Sequence, residues 1–278
     1  MTTTTVAPEP ASPAGHQQEA AHRRTRAVPA PIPFTRVLSV ELRKMFDTRS
    51  GFWLVASIGI LAVIATAAII VFSADDGLTY SMFATAIGIP MAVILPMISV
   101  LSVSSEWSSR TALTTFTLVP SRGKVIGAKA ALTVALGVVS MAAALGIGAL
   151  GNLLGTAIAG VDAGWDISAV IFAQIVLAQI IGMLMGFMLG TLFRSSPAAI
   201  VGYFVYALVL PTISNALVMV NEWWRDHGAW LDLNWASTRL FDDDMTREAW
   251  AQLGTATALW LLIPLLIGLR LTLKSEVK

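Results

Sequence analysis

The stretch SVSSEWSSRTALTTFTLVPSRGKVIGAKA, residues 102–130, lies between two long apolar runs and carries Glu106, Arg110, Arg122, Lys124 and Lys129. A chain otherwise poor in charge interrupts itself here with a short, mostly basic insert. Inserts of this kind join two membrane-spanning helices on the side of the bilayer where Lys and Arg collect. The other segments can be laid out from it in both directions.

The 278 residues are 56% apolar and 13% charged, with a mean hydropathy of +0.73. A soluble domain carries about 25% charged residues, so the composition predicts an all-α integral membrane protein. Charge-free windows fall at 52–72, 77–105, 130–161, 167–193, 195–221 and 249–269. Each meets the roughly 20 residues needed to cross ~30 Å of hydrocarbon. Six transmembrane helices are therefore expected, at about 52–72, 80–104, 128–154, 168–193, 197–220 and 249–270. The fourth and fifth are joined by a tight hairpin, Arg194 to Pro197, whose proline suits the first turn of the next helix.

Six spans put the N- and C-termini on one side. Segments 36–50, 104–129, 194 and 270–278 hold twelve Lys or Arg, and the opposite loops hold only Arg225, Arg239 and Arg247. The basic side is expected to be cytoplasmic. Residues 1–33, rich in Pro, Thr and Ala, are expected to form a disordered cytoplasmic tail. Their Arg23, Arg24 and Arg26 are not followed by the apolar run of a cleaved signal peptide.

Several chemistries lack their residues. There are no cysteines, which removes disulfides and thiolate metal sites or nucleophiles. The histidines are His16, His22 and His227, none within a span. Without paired intramembrane carboxylates or an HExxH motif, an intramembrane protease or a proton-coupled carrier is disfavoured. A net charge of +1 gives no general electrostatic case for a nucleic-acid partner.

Residues 34–50 read FTRVLSVELRKMFDTRS. Phe34, Val37, Leu38, Leu42, Met45 and Phe46 recur at helical spacing while Arg36, Arg43 and Arg49 fall elsewhere, which predicts an amphipathic interfacial helix before the first span. Glu41 and Lys44 are read as an exposed pair one turn apart. The loop 221–248 carries Trp223, Trp224, Trp230 and Trp235, and Trp250 lies just beyond it. Short interfacial or re-entrant helices against the opposite leaflet are expected. Within the spans, Gly182, Gly186 and Gly190 share one helix face and permit close packing within one subunit or between two. Asn152, Gln174, Gln179 and Asn215 are either interhelical hydrogen-bonding groups or polar residues of a pore.

The chain resembles the permease subunits of bacterial ABC type-2 exporters, and the likeness covers residues 34–278. In VELRKMFDTRS, Glu41, Lys44 and Arg49 match the family's signature before the first span. In SSEWSSRTALTTFTLVPSRGKVIGAK, Glu106, Thr111, Pro120, Arg122 and Lys129 match its loop between the second and third spans; Arg110 stands where the family commonly has Gly. The resemblance implies a cytoplasmic coupling helix between spans two and three that docks on an ATPase. Glu106, Trp107, Arg110 and Thr111 would dock there, the first three exposed, with Glu41, Lys44 and Arg49 alongside. Pro120 would end that helix, and Arg122, Lys124 and Lys129 would anchor the next span at the headgroups.

The chain lacks GxxxxGK[ST], since Gly123-Lys124 precedes Val125 and position 118 is Leu. The implied arrangement is therefore a subunit without catalytic residues, cofactor or metal of its own. It would act with two copies of an ABC ATPase that hold ATP and Mg2+, and with a second permease copy or a related permease, in contact with membrane lipid. A hydrophobic or amphiphilic substrate, drug-like, antibiotic or lipid-like, is expected to be exported. The alternative is an ATPase-coupled scaffold or mechanotransmitter that does not itself transport.

Overall fold

The computed structural model describes residues 32–47, 49–73, 78–108, 122–242 and 245–274. The tail expected over 1–33 lies almost wholly outside them, and so do Arg110, Thr111 and Pro120. The named elements among the described residues are helices: α1 (Phe34–Phe46), α2 (Arg49–Phe72), α3 (Tyr80–Ser108), α4 (Arg122–Ala159), α5 (Ala169–Phe193), α6 (Ser196–Val220), α7 (Glu222–Leu231), α8 (Leu233–Thr238) and α9 (Arg247–Leu273), with a 3-10 turn at Arg239–Phe241. Six of these, α2 to α6 and α9, are long and apolar enough to cross a membrane. The chain is an all-α protein with the build of a multi-pass membrane protein.

The helices outrun the charge-free windows from which the spans were read. The second reaches Ser108 where 104 was expected, and the third starts at Arg122 where 128 was expected. A helix needs no apolar side chains to continue once its backbone hydrogen bonds propagate. Apolar windows therefore mark the segment suited to lipid, and the helix runs on through Glu106 and Lys129. Glu106 and Trp107 accordingly occupy the last turn of α3, with no break before them.

Helix starts follow local chemistry. Ser168 accepts from the Ile171 N–H at the head of α5, Asn221 from Trp224 at α7, Asp232 from Asn234 and Trp235 at α8, and Thr246 from Ala249 at α9. Arg194 closes α5 in the left-handed region (φ 52°), and Pro197 fits the first turn of α6.

Two prolines within the spans leave a carbonyl without its usual helical donor, and a side chain from another helix takes each one up. Pro96 has no N–H for the Ala92 carbonyl, which accepts the Tyr203 hydroxyl at 2.9 Å. In α6 a π turn, Val205–Val209, pairs Leu210 N–H with Val205 O; the next residue is Pro211, so Tyr206 O loses its donor. The Asn234 amide of α8 supplies one at 3.0 Å. α9 repeats the device, with a π turn over Ala258–Leu262 and Pro264 following Ile263. Tyr206 and Trp260, one from each π turn, pack with centroids 6.4 Å apart, and Trp260 Nε1 donates to Leu231 O at 2.6 Å.

α3 and α5 form the centre of the bundle, α3 touching α2, α4, α5 and α6, and α5 touching α3, α4, α6 and α9. The glycines of α5 set their approach. A Cβ on Gly186 would lie 2.5 Å from Pro96 O, one on Gly190 2.9 Å from Val100 O, and one on Gly182 an ordinary 3.8 Å from Pro96 Cγ. The glycine face thus packs within the subunit, against α3. Gly186→Ala should lower stability by about 1–3 kcal/mol through overpacking against backbone. Gly182→Ala should be neutral or slightly stabilising. Thermal unfolding of both variants in detergent checks the contrast.

Candidate functional site

One end of the bundle gathers α1, the last turn of α3, the first turns of α4, the α5–α6 turn and the end of α9. It carries most of the basic residues. Within it four charged side chains form a closed ring. Lys44 Nζ lies 2.8 Å from Glu41 Oε1 and 3.0 Å from Glu106 Oε1; Lys129 Nζ lies 2.5 Å from Glu41 Oε2 and 3.4 Å from Glu106 Oε1. Lys129 also donates to the Ser102 carbonyl at 2.6 Å. Signs alternate around the ring, so its net charge is zero.

The ring is buried. Glu41, Glu106 and Lys129 are 2%, 7% and 5% exposed, and only Lys44 reaches water. An ion removed from water loses several kcal/mol of hydration, which is tolerable only when oppositely charged groups surround it. Each carboxylate here meets both ammonium groups. Burial alone would raise the Glu41 pKa, but Lys129 and then Lys44 outweigh it and hold the carboxyl below its ordinary value. Burial alone would lower that of Lys44, and Glu41 with Glu106 hold it above its ordinary value.

Local sequence explains the geometry. Val37, Glu41 and Met45, spaced by four, form one buried face of α1. Val37 packs on Val125 and Ala128 of α4, and Met45 joins the cluster of Ile87, Met91 and Leu95. The ring thus sits between two apolar contacts that flank it along α1. Beside it, a shallow crevice is lined by Lys44, Met45, Leu54, Ser102, Glu106 and Lys129 among others.

A second clasp ties the end of α3 to the α5–α6 turn. Ser196 Oγ lies 2.9 Å from Ser104 Oγ and 3.0 Å from Ser108 Oγ, and Ser196 N–H donates to Ser108 Oγ at 3.0 Å. The Arg194 guanidinium stands 5.2 Å from the Trp107 ring centroid, a cation–π contact. Arg122 Nη1 reaches the Thr272 carbonyl of α9 at 3.3 Å. Five segments of chain therefore meet around the end of α3.

Three expectations are corrected. Glu106, expected on an exposed helix, is buried in the ring, because its charge is matched there by two lysines. Lys129, expected at the headgroups, is drawn into the protein by the same two carboxylates. Glu41 and Lys44 are not a solvated surface pair. Trp107 is partly buried, whereas Lys124 and Arg49 are exposed. Asn152 is fully buried and donates to Gly164 O at 2.9 Å. The Gln174 amide nitrogen, turned toward them, reaches Leu240 O and Asp242 O at 3.0 and 3.2 Å. Gln179 is buried in α5, and Asn215 is exposed on α6. Among the described residues no cluster of His, Cys, Asp or Glu could hold a metal ion.

Sequence reading missed the ring, although a signal was present. Glu41 falls on the apolar stripe of α1, between Val37 and Met45, and an acid in that position needs a partner. No family model matches the chain, and neither does any curated protein.

Lys129→Met should cost about 3–5 kcal/mol by leaving two carboxylates under-paired, and Glu41→Gln in the same background should restore part of that loss. Thermal unfolding of the single and double variants checks this. Because the Glu41 pKa is depressed, its contribution is fully present above pH ~4.5 and is lost as pH falls through the lower, folded value. Lys44 contributes fully below its ordinary pKa of 10.5, and this is lost as pH rises through the higher, folded value. Stability should therefore be level between these limits, and Glu41→Gln should weaken its acid limb.

Proposed function

We propose that the chain is the transmembrane permease subunit of an ATP-driven exporter of the ABC type-2 class, with the basic end of the bundle facing the cytoplasm. The observation that carries this reading is the buried ring joining α1 to the last turn of α3 and the start of α4. Coupling to an ATPase requires a place where force from outside becomes movement of spans. The ring and the serine clasp make the basic end such a place, since a displacement of segment 109–121 is passed to α3, the most buried of the spanning helices.

In this reading the docking surface comprises Trp107, Arg110 and Thr111, while Glu41, Lys44, Glu106 and Lys129 are positioning residues behind it. ATP and Mg2+ belong to two separate ATPase subunits, and a second permease copy or a relative completes the pathway. Binding energy released at the ATPase works through its difference between inward- and outward-facing states. Apolar spans with few polar groups favour a hydrophobic or amphiphilic substrate, exported across a bacterial inner membrane.

The test is purification of the full chain from native membranes through a tag after Lys278. An ATPase should be recovered in near-equal amount, with turnover that depends on this chain. Trp107→Ala combined with Arg110→Ala should reduce that recovery severalfold while leaving the permease's own unfolding temperature near that of the wild type. Recovery of the chain without an ATPase in every mild detergent would reject the proposal.

A further inference from the structure

The outward side of α1 is not explained by the ring or by any docking segment. Val37, Glu41 and Met45 face the bundle, and Arg36 and Arg43 lie on the opposite side, two turns apart and about 10 Å along the axis. Both arginines are exposed, and neither guanidinium has an ion pair or hydrogen bond among the described residues. Glu41 lies on the bundle face and is held by two lysines, and Asp47, one turn after Arg43, makes no ion pair with it among the described residues. Val40, between the two arginines on that side, is 47% exposed, and Leu42, on one flank, is 45% exposed. α1 therefore presents apolar side chains and unpaired guanidinium groups together.

The start of α2 fixes the depth of this surface. α2 begins at Arg49, three residues after the end of α1, and its first turns carry the exposed Phe52 and Trp53, 60% and 64% accessible, with rings meeting edge-on at 5.8 Å. Exposed aromatic rings at the end of a spanning helix sit at the headgroup level. α1 and the exposed Arg49 adjoin that level. Guanidinium groups bind phosphate through paired N–H donors, and the apolar flanks suit the boundary between headgroups and acyl chains.

We propose that α1 binds anionic phospholipid headgroups of the leaflet it borders, through Arg36 and Arg43, with Val40 and Leu42 inserted beside them. The ring holds this helix in place, so that the arginines are presented by a fixed surface. Membrane binding of α1 in turn sets the height of the bundle's basic end relative to the lipid. Lipid binding of this kind does not depend on the identity of any protein partner.

The test titrates phosphatidylglycerol or phosphatidylcholine into the purified full chain in neutral detergent, counting bound lipid by native mass spectrometry. Wild type should prefer phosphatidylglycerol, and Arg36→Gln/Arg43→Gln should weaken its binding by roughly 30-fold, about fivefold per arginine. Binding of phosphatidylcholine should be unchanged. Arg36→Lys/Arg43→Lys should keep most of the preference, and Arg247→Gln, at the far end, all of it. If the glutamine variant unfolds early, a salt series on wild type decides, since ~1 M salt should abolish the preference. Equal binding of both lipids by wild type overturns the proposal. So does a folded glutamine variant that keeps its preference for phosphatidylglycerol, and loss of a bound protein partner in that variant would then assign the face to a protein interface.

Discussion

Four charges that cannot leave one another organise the basic end of this bundle. Glu41, Lys44, Glu106 and Lys129 come from three helices, and each of the three buried members would be prohibitively costly without the others. A buried ion pair gives little net stability over an apolar contact of the same shape, but it tolerates far fewer arrangements. Its contribution here is registry: α1 can sit against α3 and α4 in only one position along its axis. Apolar packing by Val37 and Met45 fills the space on either side without specifying that position so strictly.

Within the spans a different device has a similar result. Pro96, Pro211 and Pro264 remove backbone donors inside spanning helices, two of them just after a π turn. Tyr203 and Asn234 restore the hydrogen bonds of the first two from neighbouring helices, so each irregularity also becomes a tether. The short helices α7 and α8 are in this way bound to α6 and α9 by Asn234 and Trp260, and the adjoining 3-10 turn to α5 by Gln174. Polar groups that sequence alone allowed to be pore residues are consumed in these tethers, Gln174 and Asn152 among them. The exceptions are Asn215, exposed on α6, and Gln179, whose buried amide nitrogen has no hydrogen-bond partner among the described residues.

The fold was legible where hydrophobicity alone decides it. Six apolar runs gave six helices of spanning length, the α5–α6 hairpin lay where Arg194 and Pro197 put it, and the Trp-rich loop held two short helices. The helix limits were not legible, since Glu106 and Lys129 end an apolar window but do not end a helix. The ring was hidden because its members lie 3, 62 and 23 positions apart in the order Glu41, Lys44, Glu106, Lys129, and pairing at such distances leaves no local pattern. Only the acid on the apolar stripe of α1 betrayed it. The π turns were invisible for another reason: X-Pro marks where a helical donor is missing and is silent on whether the preceding turn widens to absorb it.

The claim that the ring fixes α1 is most directly tested by hydrogen exchange of the full chain in lipid nanodiscs, comparing wild type with Lys129→Met. In wild type the amides of Val37 to Met45 should exchange as slowly as those at the end of α3. In the variant α1 should open at least tenfold faster while the middle of α3 and α5 stays protected. Rapid exchange of α1 in the wild type, or an α1 unchanged by loss of Lys129, would contradict the account.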